Sequence, residues 1–320
     1  MLRAAVSDFS ALDGHQVITT RDIRLEGTLT ASLVHTVRPG RFDETVDACL
    51  AACDAALVVA PETGGVLAGL TERVEAAGVL NLGSGSVAVR VAADKLATAK
   101  RLAAARLPVV PTVEAKTPEE AARLGFPLVL KPQDGVGCVG QRTVTGAAKL
   151  REAWREAEAE SAGSPLIAQP LILGQPASVS LASDGQRAMP LSLNGQTIAE
   201  GRGFVYLGGI VPLEHPLRMR AMDVAVRACR AVPGLRGYVG VDLVLGTEAT
   251  ILEINPRLTT AYVGLRRALA QNLADILLGA SRGELPGQAR CMARARFRAD
   301  GHVAMEPLAR DRGPVVGLNP

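Results

Sequence analysis

Two apolar runs, GYVGVDLVL and TILEINP, flank a Gly246-Thr247 turn and carry polar residues where a buried strand tolerates few. Short aliphatic runs bounded by a turn predict a β-hairpin inside a sheet covered on both faces. Asp242 lies on the first run, and Glu253 and Asn255 lie on the second. Residues two apart on a strand share a face, so Glu253 and Asn255 point together and Asp242 can oppose them. Hard oxygen donors converging inside apolar strands suit Mg²⁺ that also holds nucleotide phosphates. The plainer alternative is the solvated face of an amphipathic hairpin. It fits poorly, because the flanking residues are apolar on both sides and unpaired buried carboxylates are costly. Arg257 follows on the same side, placed to meet a phosphate or carboxylate through two hydrogen bonds.

The rest of the chain must supply a body for that hairpin. Its 320 residues are 48 % apolar and 21 % charged, enough to bury one or two cores. A net charge of +3 with only 3 % aromatics argues against nucleic acid as a partner. No apolar run reaches the roughly 18–20 residues of a membrane span, and MLRAAVSDFS reads as the start of a helix rather than a leader. Cys49 and Cys53 stand one helical turn apart without a matching Cys or His pair, which favours buried thiols over a metal site. A reduced, cytoplasmic protein is the expectation.

Up to residue 90 the sequence alternates helix and strand: a helix end, VITT, FDETVDACLAAC, AALVVAPE, LAGLTERVEAAG and VLNLG. That alternation predicts a small parallel α/β layer. Such a layer normally opens on a strand, so an initial strand is expected to be missing or supplied elsewhere. A helix is predicted over 86–106, followed by the extended LPVVPTVEA. TPEEAARLGF has Thr117 as N-cap and Pro118 in the first turn. Helices are also predicted over 146–161, 216–232 and 264–281, with a hairpin turn at Asp184-Gly185.

Thirty arginines stand against five lysines, and all five lysines fall between positions 95 and 149. Codon bias explains this as readily as a demand for compact ammonium charges. Lys131 ends the strand PLVLKP and precedes DGVGCVG, where Gly135, Gly137 and Gly140 allow close backbone approach. Backbone amides in such a turn can cradle phosphates, although a Gly-rich hairpin with a chance lysine has the same pattern. Asp94-Lys95 reads by itself as an exposed ion pair on a helix.

Together these segments resemble the ATP-grasp superfamily, the carboxylate–amine ligases and their carboxylase relatives. The resemblance implies an α/β fold with α+β elements: a parallel α/β pre-domain at 1–90, a subdomain with the Gly-rich loop at 91–165, a subdomain with the metal site at 166–285, and a hairpin and tail at 286–320. It assigns Lys95 and Lys131 to ATP phosphates under the loop of Gly135, Gly137 and Gly140. Asp242, Glu253 and Asn255 become ligands of Mg²⁺ or Mn²⁺, and Arg257 and Lys131 catalytic groups. The adenine hinge falls at Gln169-Pro170-Leu171-Ile172, with Gln169, Leu171 and Ile172 as contacts. The acid that holds ribose in the family falls at Pro176.

ILEINPRLTTAYVGLR, PLSLNGQ and YLGGIVP are similar to the ATP-grasp ligases that join glutamate to tyramine in methanofuran biosynthesis. That group begins with an earlier strand and Gly-rich turn, so a truncated start or a differently built acceptor pocket is expected. The resemblance implies ATP, glutamate and tyramine or tyrosine as substrates, with Thr259, Thr260 and Tyr262 lining the amino-acid pocket. Helix capping by Thr259 or Thr260 is an equal alternative. A homodimer is usual among relatives. Arg290, Arg294, Arg296 and Arg298 are expected on one strand face, either as a solvated edge or as a site for an anionic substrate. Another ATP-grasp amino-acid ligase, a carboxylase-type enzyme and a nucleotide-binding regulatory protein that has lost catalysis are the competing readings.

Overall fold

The protein is described from a computed structural model, which covers residues 1–308 except Arg202. The chain opens with α1 (Leu2–Ser10), β1 (Ile18–Asp22), β2 (Leu33–Val37), α2 (Phe42–Leu50) and β3 (Ala55–Ala56). A 3-10 turn at Thr63–Gly65 leads into α3 (Val66–Ala76), β4 (Leu80–Asn81), α4 (Ser86–Ala93) and α5 (Lys95–Ala104). Next come β5 (Val113–Ala115), α6 (Pro118–Ala122), β6 (Leu128–Pro132), β7 (Arg142–Val144), α7 (Ala147–Glu160) and β8 (Leu166–Pro170). The remainder is β9 (Gln175–Asp184), β10 (Ala188–Glu200), β11 (Phe204–Val211), α8 (Arg218–Ala231), β12 (Arg236–Leu245) and β13 (Ala249–Asn255). It closes with α9 (Ala261–Ala268), α10 (Leu273–Ser281), β14 (Arg294–Arg298) and β15 (Val303–Glu306).

The parallel pairing expected near the N-terminus is present, but as two separate pairs, β1 with β2 and β3 with β4. An antiparallel sheet in the order β5-β8-β6-β7 carries α6 and α7 on a core that includes Leu128, Leu130, Trp154 and Ala168. The largest sheet runs β13-β12-β9-β10-β11-β14-β15. Its central pair β9 and β12 runs without a register shift, so their side chains alternate between the two faces. Val179 and Leu181 on β9 and Val239, Val241 and Leu243 on β12 face a core shared with Val224, Ala225 and Ala228 of α8. The alternate residues Ser178, Ser180, Gly240 and Asp242 therefore occupy the opposite face, since successive strand side chains point to opposite sides.

Two expected helices are each broken in two. Asp94 adopts ψ 100° and ends α4, and its side chain accepts the Ala97 N–H to cap α5. A short polar side chain that bonds the third amide on favours a new helix start over continuation. Leu269 is likewise extended, and Asn272 caps α10 through the Ala274 N–H at 2.8 Å. The hairpin at the C-terminus adds β14 and β15 to the largest sheet, while residues 309–320 of the expected tail lie outside the described residues. Arg290 precedes β14. Arg294, Arg296 and Arg298 share its outer face and pair with Glu214, Glu306 and Asp300 at 2.6, 3.2 and 3.0 Å. β14 is paired on both sides, with β11 and β15, so the row is an ion-paired face of an inner strand and not a sheet edge. All five cysteines are free, and among the described residues no helix is long and apolar enough to cross a membrane.

Candidate active site

Register builds the centre of the site. Asn194 of β10 lies opposite Ser178 of β9, Ser178 opposite Asp242 of β12, and Asp242 opposite Glu253 of β13. Four polar residues thus form one row across four strands. Asp242 accepts hydrogen bonds from Gln196 Nε2 at 3.0 Å and Asn255 Nδ2 at 3.1 Å. Glu253 faces two ammonium groups, Lys95 Nζ at 3.8 Å and Lys131 Nζ at 3.9 Å.

Both lysines arrive there for local reasons. Lys131 sits on β6, whose five residues are all buried, so its stem is held and its buried head faces Glu253. Lys95 is the first residue of α5, and the break at Asp94 turns it away from α4. Its N–H donates to Gln133 O at 3.1 Å and its Nζ to Gly135 O at 2.6 Å. Lys95 is thus a buried bridge between the Gly-rich loop and Glu253, not the exposed ion-pair partner that its sequence context suggests.

The charges are in tension. Burial, reinforced by the facing Glu253, pushes Asp242 up to about 7. Burial alone would raise Glu253 too, but Lys95, Lys131 and Arg257 outweigh it and hold that carboxyl below its usual value. Burial lowers Lys131 to about 8 against the pull of Glu253. Two carboxylates and an amide on one face form an all-oxygen donor set, and the raised Asp242 marks a deficit of positive charge. These residues fit Mg²⁺ or Mn²⁺. Among the described residues no three His, Cys, Asp or Glu side chains converge to hold a metal, so Asn255 and phosphate oxygens would complete the coordination.

The loop over this centre, residues 133–141, has the geometry of an anion cradle. Gly137, Cys138 and Gly140 have φ of 66°, 67° and 71°, and a Cβ on Gly140 would meet Pro132 Cγ at 2.8 Å. Among the described residues, the amides of 135–138 have no protein acceptor. A run of unsatisfied amides in a left-handed turn attracts phosphate. The Gly140 amide is not part of it, because it donates to Glu160 Oε2 at 3.1 Å. Burial, with the Glu253 and Asp242 carboxylates adding to it, pushes the Cys138 thiol up to about 11.

Other expected contacts are placed differently. Gln169 is buried and donates to Thr112 Oγ1 at 2.8 Å, and the Leu171 amide donates to Pro127 O at 3.1 Å, so both donors are committed within the protein. Ile172 is half-buried on the segment between β8 and β9. Tyr262 is fully buried with its hydroxyl on Asp8 Oδ2 at 2.7 Å, which puts it in the core and not on a pocket wall. Its helical neighbours and their apolar spacing carry that core assignment in the sequence. Thr259 Oγ1 lies 3.0 Å from Tyr238 Oη, and Thr260 is the N-cap residue of α9 without a side-chain cap.

Two site residues escape the sequence reading. Gln196 shares a strand face with Asn194, and that two-residue alternation inside an apolar strand was the available signal. Glu62 had none: it lies on the loop after β3, yet its Oε2 accepts from Arg257 Nε at 2.6 Å across 195 positions.

This chain belongs to the ATP-grasp family: the ATP-grasp domain model matches residues 92–261, more than half of the chain, and the pre ATP-grasp 3 domain model matches 15–89. The chain is 36 % identical over 225 residues to tyramine–L-glutamate ligase of Methanocaldococcus fervens, an alignment that covers 70 % of this chain and 65 % of that protein. The chain thus spans less than two thirds of that relative. It is 32 % identical over 226 residues to D-alanine–D-alanine ligase of Desulforudis audaxviator, covering 64 % and 72 % of the two. Biotin carboxylase from Campylobacter jejuni superimposes with a TM-score of 0.78 at 19 % identity, over 92 % of this chain and 72 % of that one. That last likeness establishes the fold.

Proposed function

We propose that this protein is an ATP-dependent carboxylate–amine ligase that releases ADP and phosphate, with glutamate as the acid and tyramine or tyrosine as the amine. The observation that carries the reading is the convergence of Lys95, Lys131, Asp242 and Glu253 beneath four unsatisfied loop amides. The choice of substrates rests on the similarity to tyramine–L-glutamate ligase. On this reading the enzyme serves the biosynthesis of a methanofuran-type C1 carrier, in the cytoplasm, and forms a homodimer.

The chemistry needs positioning and charge more than a nucleophilic side chain. Lys131 and Lys95 orient the γ-phosphoryl group, and the amides of 135–138 cradle the phosphate oxygens. Asp242, Glu253 and Asn255 would hold Mg²⁺, which when bound neutralises phosphate charge. A carboxylate oxygen of the acid attacks the γ-phosphorus, and the bond to the bridging oxygen breaks as ADP departs. The amine nitrogen then attacks the acyl carbon, loses a proton, and the bond to the phosphate oxygen breaks. Arg257 stabilises the oxyanion of the tetrahedral intermediate between those events.

The test is product detection by mass spectrometry with glutamate, tyramine or tyrosine, ATP and Mg²⁺, alongside ADP release. Release that depends on both acid and amine is expected. Glu253→Gln should abolish it, and Lys131→Arg should lower it strongly despite keeping the charge, because a planar guanidinium does not replace a compact ammonium. Nucleotide binding without ADP release for any acid and amine pair would favour the non-catalytic reading instead.

A further inference from the structure

Arg257 is held from a distance. Its Nε donates to Glu62 Oε2 at 2.6 Å and one terminal nitrogen donates to Leu258 O at 3.0 Å. These two bonds fix the plane of the guanidinium, a group whose donors form a rigid fork. The other terminal nitrogen has no acceptor among the described residues and remains available to an incoming oxyanion. Glu62 is only 5 % exposed, and a carboxylate that deep is costly unless it is paired. The pair therefore exists before any ligand arrives.

The loop that carries Glu62 reaches a second part of the site. Gly64 donates its N–H to Asp134 Oδ2 at 2.9 Å, at the base of the Gly-rich loop. Gly64 and Gly65 both have left-handed φ, 64° and 71°, which lets the chain turn back sharply between Glu62 and α3. A single short segment of the parallel α/β layer thus grips both the arginine and the foot of the phosphate loop.

We propose that Glu62 is a positioning residue for acyl transfer: it orients Arg257 so that the free end of the guanidinium faces the tetrahedral intermediate. Because it acts through Arg257, its removal should leave nucleotide binding intact and impair the step that follows phosphoryl transfer. The kinetic part of this inference rests on the ligase reading. The structural part does not.

Both parts can be measured on the full-length protein. With arginine labelled by ¹⁵N, the Arg257 Nε–H resonance, identified by its loss in Arg257→Lys, should exchange slowly with solvent in wild type. It should become fast in Glu62→Ala and remain slow in Glu62→Gln, whose amide oxygen still accepts the bond. In the ligase assay, Glu62→Ala should lower kcat on the order of 100-fold, the cost of a misaligned catalytic group, with the KM for ATP unchanged. Added formate should restore part of the rate, which a merely structural defect would not permit. In an Arg257→Gln background, Glu62→Ala should add almost no further loss. A fast-exchanging Nε–H in wild type, an unaltered one in Glu62→Ala, or a kcat close to wild type in that variant would each overturn the proposal. Wild-type protein inactive with every acid and amine pair overturns the ligase reading, and the exchange measurement then still decides whether Glu62 orients Arg257.

Discussion

Asp242 gives the site its pH signature. Its ordinary value is 3.8, and burial with Glu253 pushes it to about 7 in the folded protein. Between about pH 4 and pH 7 the folded state holds a proton that the unfolded chain has already released, so stability falls as pH rises through that window. In chelated protein, thermal unfolding should therefore show a component that declines toward neutrality. Asp242→Asn should remove that component, and Mg²⁺ with nucleotide should oppose it. A pH profile identical in Asp242→Asn and wild type would exclude this origin. The spacing of Asp242, Glu253 and Asn255 was legible in the sequence because strand alternation is a local rule. What the sequence could not show is that two lysines from separate elements share one oxygen of Glu253, since that depends on where β6 and α5 meet β13.

At the scale of elements, backbone geometry decides what can be changed. Gly237, at the start of β12, has φ +68°, and a Cβ there would lie 2.1 Å from Leu82 O. Gly237→Ala should destabilise the fold by about 2 kcal/mol or more, through backbone strain and the forced parting of β12 from the Leu82–Gly83 segment. Gly69 offers the opposite case, since it lies inside α3 and a methyl added there would find nothing within 4 Å. Gly69→Ala should stabilise by about 0.5–1 kcal/mol, because alanine loses less backbone entropy in a helix. Denaturant titration of the two variants should give midpoint shifts of opposite sign. Helix existence was readable from apolar spacing or, for α6, from its capping residues, whereas the breaks at Asp94 and Leu269–Asn272 were not. Asp94 looks like an ordinary surface residue until its side chain is seen to cap α5, and it is that break which aims Lys95 at the site.

Across the whole molecule, the N-terminal helix belongs with the last helices and not with the strands that follow it. Asp8 accepts from Tyr262 Oη at 2.7 Å and from Arg266 Nε at 2.8 Å, and its carbonyl accepts from Asn272 Nδ2 at 2.9 Å. Asp8→Ala leaves a buried hydroxyl and a half-buried guanidinium without their acceptor and should cost about 2 kcal/mol or more. Calorimetry should show one lowered transition. Loss of heat only from a separate early transition would mean that α1 is not integral to the C-terminal core. No sequence rule pairs residue 8 with 266, because nothing local to either one signals the other.

That pairing also orders events during synthesis. The three contacts of Asp8 span 254 to 264 positions, so α1 leaves the ribosome long before its partners are made. At a few to about twenty residues per second, the wait is on the order of tens of seconds. Throughout that interval Ala5, Val6 and Phe9 have no apolar surface of their own to cover them. The first helix of this chain is therefore among the last parts to reach its final place, and its apolar face is a natural target for chaperones that act on nascent polypeptides.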